Sequence, residues 1–274
     1  MEHPGHRSPP PFRDAQPFYD PLMTLPTVTV VIPVKNDARE LALCLASLAA
    51  QTHPADELIV VDNGSTDNSA EVAARFGARV LHENRPGIAA ASSAGYDRAS
   101  CEVIARLDAD CIAPSDWLHR IRTTFARDPS VAAVTGGAHF IDGPRALRRV
   151  GAILYLGAYF TLVAGALGHV PLFGSNCAFR RSEWLRVREV VHRFDPLVHD
   201  DMDLSVHLGP TRRIRFDRHL GMGISSRPFS AALPLIALRL RRGSHSLTMH
   251  WPHELPVRRL SRRMRAWRML HRGR

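Results

Sequence analysis

The sequence predicts an open, doubly wound α/β sheet, and three observations support this. Short apolar runs rich in β-branched residues alternate with segments whose apolar residues recur at helical spacing. The strand-like runs lack the polar alternation of a half-exposed strand, which indicates strands that are covered on both faces. Polar segments that carry carboxylates follow several of these runs directly. This alternation favours a sheet with helices packed on both sides.

The first predicted strand covers 28–34 and reads Val-Thr-Val-Val-Ile-Pro-Val. A crossover helix comes next, because the apolar residues Leu41, Cys44, Leu45 and Leu48 repeat at helical spacing. The same alternation continues along the chain. The further predicted strands are 58–61, 78–81, 103–107 and 131–135, and the further predicted helices are 69–76, 88–98 and 115–127.

Three polar segments are expected to meet at one rim of this sheet. In open α/β sheets, ligands bind beyond the carboxyl ends of the strands, which places 33–37, 62–65 and 108–110 together. Asp108 and Asp110 stand one residue apart where a buried strand gives way to a loop. Two acids at that spacing can hold a hard divalent cation and, through it, a diphosphate. A solvated turn is the alternative for such a pair in isolation, but the convergence of three carboxylate-bearing segments favours a site.

Six blocks follow one another in the order expected for a known family of transferases. They are Val-Val-Ile-Pro-Val-Lys-Asn-Asp (30–37), Ile-Val-Val-Asp-Asn-Gly-Ser-Thr-Asp (59–67), 84–95, Leu-Asp-Ala-Asp (107–110), Gly-Ser-Asn-Cys-Ala-Phe-Arg-Arg (174–181) and His-Asp-Asp-Met-Asp-Leu (199–204). With these blocks the chain resembles family 2 glycosyltransferases, inverting enzymes that use nucleotide-sugar donors. The resemblance implies a GT-A type doubly wound mixed sheet flanked by helices.

The resemblance also implies a donor site. Pro33, Asp37 and Asp62 would line the nucleotide pocket, and Asp62 would accept hydrogen bonds from the base. Lys35 stands where the family usually has Tyr, so it would either contact a phosphate or only alter stacking on the base. Ser92-Ser93 replaces a common Arg-Asn pair, for which Arg85 could substitute.

The metal and sugar contacts are implied in the same way. Asp108 would sit near the ribose with Ala109 beside it, and Asp110 would bind Mg²⁺ or Mn²⁺ bridging the donor phosphates. Such a cation stabilises the charge that develops on a departing nucleoside diphosphate. The segment 174–176, including Asn176, would form the floor under the donor sugar, and Arg180 would lie near the phosphates.

Inversion needs a base that deprotonates the acceptor hydroxyl. The block 200–203 occupies the place of the family's acidic block, in which the second acid is usually the base, so Asp201 is the predicted catalytic residue. Asp200 and Asp203 are its rivals, because three acids within four residues make a shift of assignment easy. Apart from the resemblance, an acidic helix N-terminus favoured by the helix dipole explains the block equally well.

The net charge of +10 is concentrated at the C-terminus, where 239–274 contains eleven arginines and one acid, Glu254. Leu260, Met264 and Trp267 fall on one helical face among these arginines, which predicts a basic amphipathic tail suited to anionic lipid headgroups. A docked terminal helix with a solvated basic face is the alternative. Nucleic-acid binding is not expected, because no nucleic-acid module is recognisable.

The segment 150–168 has no charged residue, which is borderline for a membrane span. A single crossing there would separate Asp110 from Asp201, although both must meet one donor sugar. A buried core helix and a helix lying in the membrane interface are therefore the two main interpretations, with a re-entrant dip as a third. His245 and His250 could reach the active site as an extra metal ligand, although isolated histidines are more often not ligands.

The chain divides into four predicted regions. They are a disordered Pro-rich leader (1–26), a nucleotide-sugar-binding half (27–136), an acceptor and catalytic half (137–238) and the basic tail (239–274). The four scattered cysteines read as reduced thiols, which predicts a cytoplasmic location, peripheral at the inner face of the membrane through the tail.

The predicted function is metal-dependent, inverting transfer of a single sugar to an acceptor hydroxyl, with a lipid-linked or envelope acceptor favoured by the tail. The family's Gln-x-x-Arg-Trp block is missing, which argues against a processive polymer synthase. The alternatives are a sugar-phosphate nucleotidyltransferase and a catalytically silent, membrane-binding family member.

Overall fold

A mixed seven-stranded sheet organises the protein. The computed structural model describes residues 24–227, residues 233–250 and Ser261. The strands are β1 (Val28–Val34), β2 (Glu57–Asp62), β3 (Arg79–His82), β4 (Val103–Arg106), β5 (Val131–Gly136), β6 (His139–Phe140), β7 (Cys177–Arg180), β8 (Arg213–Asp217) and β9 (Gly223–Ile224). The helices are α1 (Ala38–Ala49), α2 (Ser69–Arg75), α3 (Ile88–Arg98), α4 (Trp117–Arg127), α5 (Arg145–Leu167), α6 (Arg181–Val187), α7 (Asp200–Leu208) and α8 (Leu233–Thr248), with a 3₁₀ turn at Gly174–Asn176.

The strand order in the large sheet is β3-β2-β1-β4-β7-β5-β8, and β6 and β9 form a separate parallel pair. The pairs β1–β2, β2–β3 and β1–β4 are parallel, as the alternation of strands and helices predicts. Strand β7 is the exception, since it runs antiparallel to both β4 and β5. The fold class predicted from the sequence is confirmed, and the antiparallel β7 makes the sheet mixed.

Both faces of the central strands are buried, which explains their continuous apolar sequence. In β1, Val30 and Ile32 pack into one core, whereas Val31 between them packs into the core on the other side. Helix α3 lies very close to the sheet at Gly95, where a Cβ atom would be 2.3 Å from Val31 Cγ1. Glycine is required there because any side chain would push the helix away from the strands.

Helix α5 presents a large apolar surface. Its segment Val150–Leu167 is long and apolar enough to cross a membrane, and only 22% of this segment is buried within the protein. Ile153, Leu154 and Leu162 are each about 70% exposed, at 69%, 68% and 72%. The opposite side of the helix is anchored, because Tyr159 donates a hydrogen bond to the Leu172 carbonyl at 2.6 Å. This exposure disagrees with the interpretation of 150–168 as a buried core helix.

The predictions for the chain ends concern residues that are mostly outside the described ranges. The leader prediction covers 1–26, of which only 24–26 are described. The amphipathic face predicted from Leu260, Met264 and Trp267 lies outside the described residues. The start of the basic region, 239–248, belongs to α8.

Candidate functional site

The loops after β1 and β2 are joined by hydrogen bonds at the carboxyl edge of the sheet. Asn36 has a left-handed backbone with a φ of 54°, which Asn tolerates better than most residues. Its side-chain oxygen accepts a hydrogen bond from the Thr66 N–H at 2.6 Å, and its own N–H donates to Ser65 Oγ at 3.0 Å. These hydrogen bonds hold the loop that contains the exposed Lys35 against the loop that follows Asp62.

Asp62 ends β2 and is almost completely buried. Oδ1 accepts a hydrogen bond from the Ser65 N–H at 2.9 Å, and Oδ2 lies 3.3 Å from His82 Nδ1 at the end of β3. Next to it, the Asn63 amide donates to the carbonyls of Glu83 and Arg85 and accepts from the Gly87 N–H. These contacts fix the loop 83–87 beside the predicted nucleotide pocket.

Asp108 and Asp110 follow β4 at the same edge, as predicted. Asp108 Oδ2 accepts a hydrogen bond from Ser175 Oγ at 2.5 Å, and Oδ1 lies 2.9 Å from Arg106 Nη2. Burial raises the pKa of Asp110, and the charge of Asp108 raises it further, against the opposing effect of Arg227. Ala109 between them is buried and packs into the core. The chain therefore holds two acids together where a second negative charge is unfavourable.

Arg227 completes this group and was not predicted. Its guanidinium makes two 2.7 Å contacts with the Asp37 carboxylate and one 2.8 Å contact with Asp110 Oδ2. The hydrogen bonds to Asp37 and then to Asp110 raise the pKa of Arg227 far above its usual range. In the sequence Arg227 is 117 residues from Asp110, and no local pattern marks it.

Arg106 links the donor rim to α7. It is only 2% exposed, lies 2.9 Å from Asp108 and lies 3.5 Å from Asp200 Oδ2. Burial opposes its charge, yet Asp108 and then Asp200 hold the pKa of Arg106 well above the usual value. A buried charge is tolerated when it is paired in this way. An arginine inside the apolar run 103–107 was a signal in the sequence that the predictions did not use.

The three acids at the start of α7 point to different partners. Asp201 Oδ2 accepts a hydrogen bond from the Gly174 N–H at 2.8 Å, and Oδ1 accepts one from the Met202 N–H at 2.8 Å. Burial and then the charge of Asp200 raise the pKa of Asp201. Asp203 instead contacts His192 and His250. Asp200 is thus tied to Arg106, while Asp201 faces the 174–176 turn.

Gly174 stands between these groups and has no room for a side chain. A Cβ atom there would be 2.1 Å from Arg106 Nη1 and 3.1 Å from Asp201 Oδ2. The glycine allows the backbone N–H to reach the Asp201 carboxylate while Arg106 passes behind it. The turn predicted as the floor of the sugar site therefore lies between the rim acids and α7.

Asn176 does not line an open surface. It is completely buried, its amide donates to the carbonyls of Gly137 and Leu220, and its oxygen accepts from Trp117 Nε1. The predicted contact of Asn176 with the donor is corrected accordingly. All the polar atoms of the Asn176 side chain make hydrogen bonds within the protein. The neighbouring Ser175 is the partly exposed residue of the turn.

The prediction that Arg180 lies near the donor phosphates is also corrected. Because β7 is antiparallel to β4, Cys177 pairs with Arg106 near the site, whereas Arg180 pairs with Val103 at the far end. Its guanidinium donates to the carbonyls of Val131, Phe125 and Asp128. Arg180 is thus distant from the rim acids and lies at the end of the sheet where β4 and β5 begin.

Three further candidates, His245, His250 and Arg85, take other partners in this structure. His245 contacts Asp195 and His250 contacts Asp203, so neither faces Asp110. The Arg85 guanidinium stacks over the Phe194 ring, 4.1 Å from its centroid. Pro33 is buried in β1.

The match to known proteins covers the region that carries this geometry. A family model described as glycosyl transferase family 2 matches residues 29–188, which is more than half of the chain. The chain belongs to this family. The resemblance deduced from the sequence blocks is confirmed.

Glycosyltransferase relatives align with less than half of the chain. Glycosyltransferase AglE of Haloferax volcanii is 35% identical over 125 residues, which cover 43% of this chain and 41% of the relative. An uncharacterized glycosyltransferase of Mycobacterium tuberculosis is 45% identical over 118 residues, covering 43% of this chain and 48% of the relative. The chain therefore matches less than half the length of these relatives.

Solved glycosyltransferases share the fold. A mannosyltransferase of Pyrobaculum calidifontis, in complex with GDP-Man and Mn²⁺, aligns with a TM-score of 0.59 and 22% identity over 81% of this chain and 62% of that one. Glucosyl-3-phosphoglycerate synthase of Mycobacterium tuberculosis, with Mn²⁺ and UDP-glucose, aligns with a TM-score of 0.58 and 20% identity over 81% and 78%. These similarities identify the GT-A fold of this glycosyltransferase family member.

Proposed function

We propose that the protein is a metal-dependent, inverting glycosyltransferase that moves one sugar from a nucleotide-sugar donor to an acceptor hydroxyl. The observation that carries the proposal is the arrangement around Gly174. Asp201, a carboxylate with a raised pKa, accepts a hydrogen bond from the Gly174 N–H, whereas Asp108 accepts one from the hydroxyl of the next residue, Ser175, and Asp110 lies beside Asp108. Such a two-sided set of acids suits a donor held on one side and a base on the other.

The donor side fits a hard divalent cation and a diphosphate. The carboxylate oxygens of Asp108 and Asp110 are the ligand type that Mg²⁺ and Mn²⁺ prefer, and a cation would offset the burial and the repulsion from Asp108 that raise the pKa of Asp110. The buried thiol of Cys111 lies beside them, but its pKa is raised by burial and it suits a softer metal. When bound, the cation would stabilise the charge on the departing nucleoside diphosphate.

The chain's own residues would perform the other parts of the reaction. Asp201 accepts the proton of the acceptor hydroxyl as that oxygen attacks the anomeric carbon, and the bond from that carbon to the diphosphate oxygen breaks. The Gly174 N–H keeps the Asp201 carboxylate in position. Asp37 and Asp62 bind the nucleotide at the rim, and Arg227 leaves Asp110 for the diphosphate.

The proposal extends to a membrane-linked acceptor. The helix with this exposed apolar side, α5, also donates a hydrogen bond to the Leu172 carbonyl, two residues before Gly174, so an interfacial α5 would bring lipid close to the 174–176 turn. The arginine-rich sequence 239–274 would add attraction to anionic headgroups. We accordingly place the enzyme at the inner, cytoplasmic face of a membrane.

A panel of nucleotide sugars tests the reaction. The full chain is incubated with each donor and Mn²⁺ or Mg²⁺, and the release of nucleoside diphosphate and of free or transferred sugar is measured. We expect turnover with one donor, its loss in Asp110→Asn and Asp201→Asn, and its retention in Asp195→Asn, a matched aspartate in the loop before α7. The Asp201→Asn protein should still bind the donor.

The same assay separates the rival functions. Pyrophosphate release from a nucleoside triphosphate and a sugar phosphate would instead indicate a nucleotidyltransferase. Neither binding nor turnover with any donor would indicate a silent family member. Full transfer by Asp201→Asn would reassign the base.

A further inference from the structure

Three histidines surround one aspartate of α7, Asp203. Asp203 Oδ1 lies 2.9 Å from His192 Nδ1, 3.1 Å from His250 Nε2 and 3.4 Å from His207 Nε2. The three ring centroids are 5.2 to 5.8 Å apart. One potential ligand atom from each of the four side chains lies within 4.8 Å of every other.

The group is more crowded than hydrogen bonding alone requires. A carboxylate oxygen offers about two lone pairs, and here three imidazole nitrogens approach the same oxygen. His207 Nε2 is buried and points into the cluster, but its 3.4 Å approach to Asp203 Oδ1 is not a well-formed hydrogen bond. Buried polar nitrogens are rarely left in this state, so the site contains a ligand position that the protein's own hydrogen bonds do not use.

The chain also holds the aspartate in a fixed orientation. The His192 N–H donates to the other oxygen, Asp203 Oδ2, at 2.7 Å, so Oδ1 is turned toward the imidazoles. Asp203 and His207 are one turn apart on α7, a spacing that puts both side chains on one helical face. The side chains of Asp203 and His250 are only 3% and 8% exposed. The arrangement is thus built into the fold.

We propose that His192, Asp203, His207 and His250 form a structural zinc site, separate from the donor site. Three imidazole nitrogens and one carboxylate oxygen match the donor types and the number of ligands of tetrahedral Zn²⁺. Four protein ligands leave no open position, which is the mark of a structural and not a catalytic site. None of these four residues is assigned a role in sugar transfer, so the zinc site does not depend on the proposed function.

The zinc site would connect parts of the chain that are distant in sequence. His192 precedes α7, Asp203 and His207 belong to it, and His250 follows α8. Binding would fasten the segment after α8 to the helix whose first turn carries Asp201. Removal of the metal is therefore expected to loosen the C-terminal segment while leaving the rim acids Asp108 and Asp110 in place.

The test uses the full chain without a histidine tag, loaded with ZnCl₂ and dialysed. Elemental analysis should find one zinc per chain, and X-ray absorption should show nitrogen and oxygen neighbours with imidazole scattering and no sulphur. His207→Gln and the more exposed His192→Gln should weaken zinc binding by at least about 100-fold, more than the about 10–100-fold typical of residues outside the ligand shell. His245→Gln is the matched control, because it alters a histidine of α8 that pairs with Asp195 instead.

A fourth variant keeps this test independent of the sugar-transfer proposal. Asp110→Asn should retain zinc. A chelator should lower the Tm of the wild-type chain and of Asp110→Asn, but not that of His192→Gln. Absence of zinc in the wild-type chain, zinc lost in Asp110→Asn but kept in the histidine variants, or sulphur ligation would overturn the proposal. None of these results depends on whether a donor is found.

Discussion

The guanidinium of Arg227 lies 2.8 Å from the carboxylate of Asp110. A cation or a diphosphate that approaches Asp110 must compete with this contact, which is held from the other side by Asp37. Arg227 therefore controls access to the predicted metal ligand without being adjacent to it in sequence. The proposed donor site therefore contains a positively charged side chain before any ligand binds.

Replacement of Arg227 by glutamine should strengthen Mn²⁺ binding in the absence of nucleotide. The gain should be about two- to fivefold, because a partly exposed ion pair contributes at most about 1 kcal/mol. Isothermal titration with Mn²⁺ measures the change, and Arg75→Gln at the end of α2 is the control. Weaker Mn²⁺ binding in Arg227→Gln would show that the arginine supports the cation instead of competing with it.

Proton uptake by Asp201 should limit transfer at low pH. Because the base works only when deprotonated, kcat should fall as the pH drops through the raised pKa of Asp201, above the value of about 3.9 for an ordinary aspartate. In Asp201→Asn, kcat should drop by about 10²- to 10⁴-fold and the residual rate should lose this dependence. A pH profile of kcat with a saturating donor checks both, and an unchanged acidic limb in the variant contradicts the assignment.

The raised pKa of Asp201 also affects how the stability of the protein depends on pH. Where the folded pKa of an aspartate is raised, the folded state binds more protons than the unfolded state, and stability falls as pH rises from the unfolded toward the folded pKa. Asp201→Asn should remove this fall. Urea unfolding at several pH values measures it. Asp195→Asn is the comparison of opposite sign, because hydrogen bonds from His245 and the Leu197 N–H lower the pKa of Asp195.

A methyl group at position 174 should damage the site. In Gly174→Ala the new Cβ would overlap Arg106 Nη1 and press on Asp201, so we expect a loss of about 1–3 kcal/mol in the free energy of unfolding together with strongly reduced transfer. Gly165→Ala is the control, because α5 has open space there and alanine favours a helix by up to about 1 kcal/mol. Equal activity of Gly174→Ala and wild type would show that the turn is looser than the contacts indicate.

Charges on the exposed side of α5 should weaken membrane binding. The double variant Leu154→Glu and Leu162→Glu is expected to sediment with anionic vesicles at least about tenfold less well, since a buried leucine contributes about 1.5–3 kcal/mol. Leu43→Glu is the control, because this leucine of α1 is also exposed, at 54%. An equal effect of Leu43→Glu would point to net charge alone, and no effect of the double variant would exclude this face of α5.

The fold was predictable because local pattern and topology agree in the first half of the chain. The β-branched run of β1 and the helical spacing of α1 leave little freedom, and parallel strands bring their polar ends to one edge. The antiparallel β7 has no such signature. The sequence of β7, Cys-Ala-Phe-Arg, carries no signal of the direction in which the strand runs. Because β7 is antiparallel to β4, Arg180 lies at the end of the sheet far from the rim acids.

The site was predictable where it follows a strand and unpredictable where it depends on distant packing. Asp62, Asp108 and Asp110 are placed by the strands that precede them. Asn176 was misassigned because burial depends on the neighbouring Trp117 and on the carbonyls of Gly137 and Leu220, which are remote in sequence. Arg227, His192 and His207 were missed for the same reason, and His250 was considered only as a metal ligand at the active site, whereas it contacts Asp203.

The insertion of β7 between β4 and β5 has a consequence for how the chain assembles. Strands β1 to β4 can pair in the order in which they are synthesised, but β5 has no partner in the large sheet until β7 or β8 has been made. Because Gly174–Asn176 leads directly into β7, this turn, which we propose lies beside the base, is positioned only when this late strand pairs with β4 and β5. The strands that carry Asp62 and Asp108 can thus pair early during translation, while the turn beside Asp201 and the contacts of Arg227 with Asp37 and Asp110 form only after the later segments have been made.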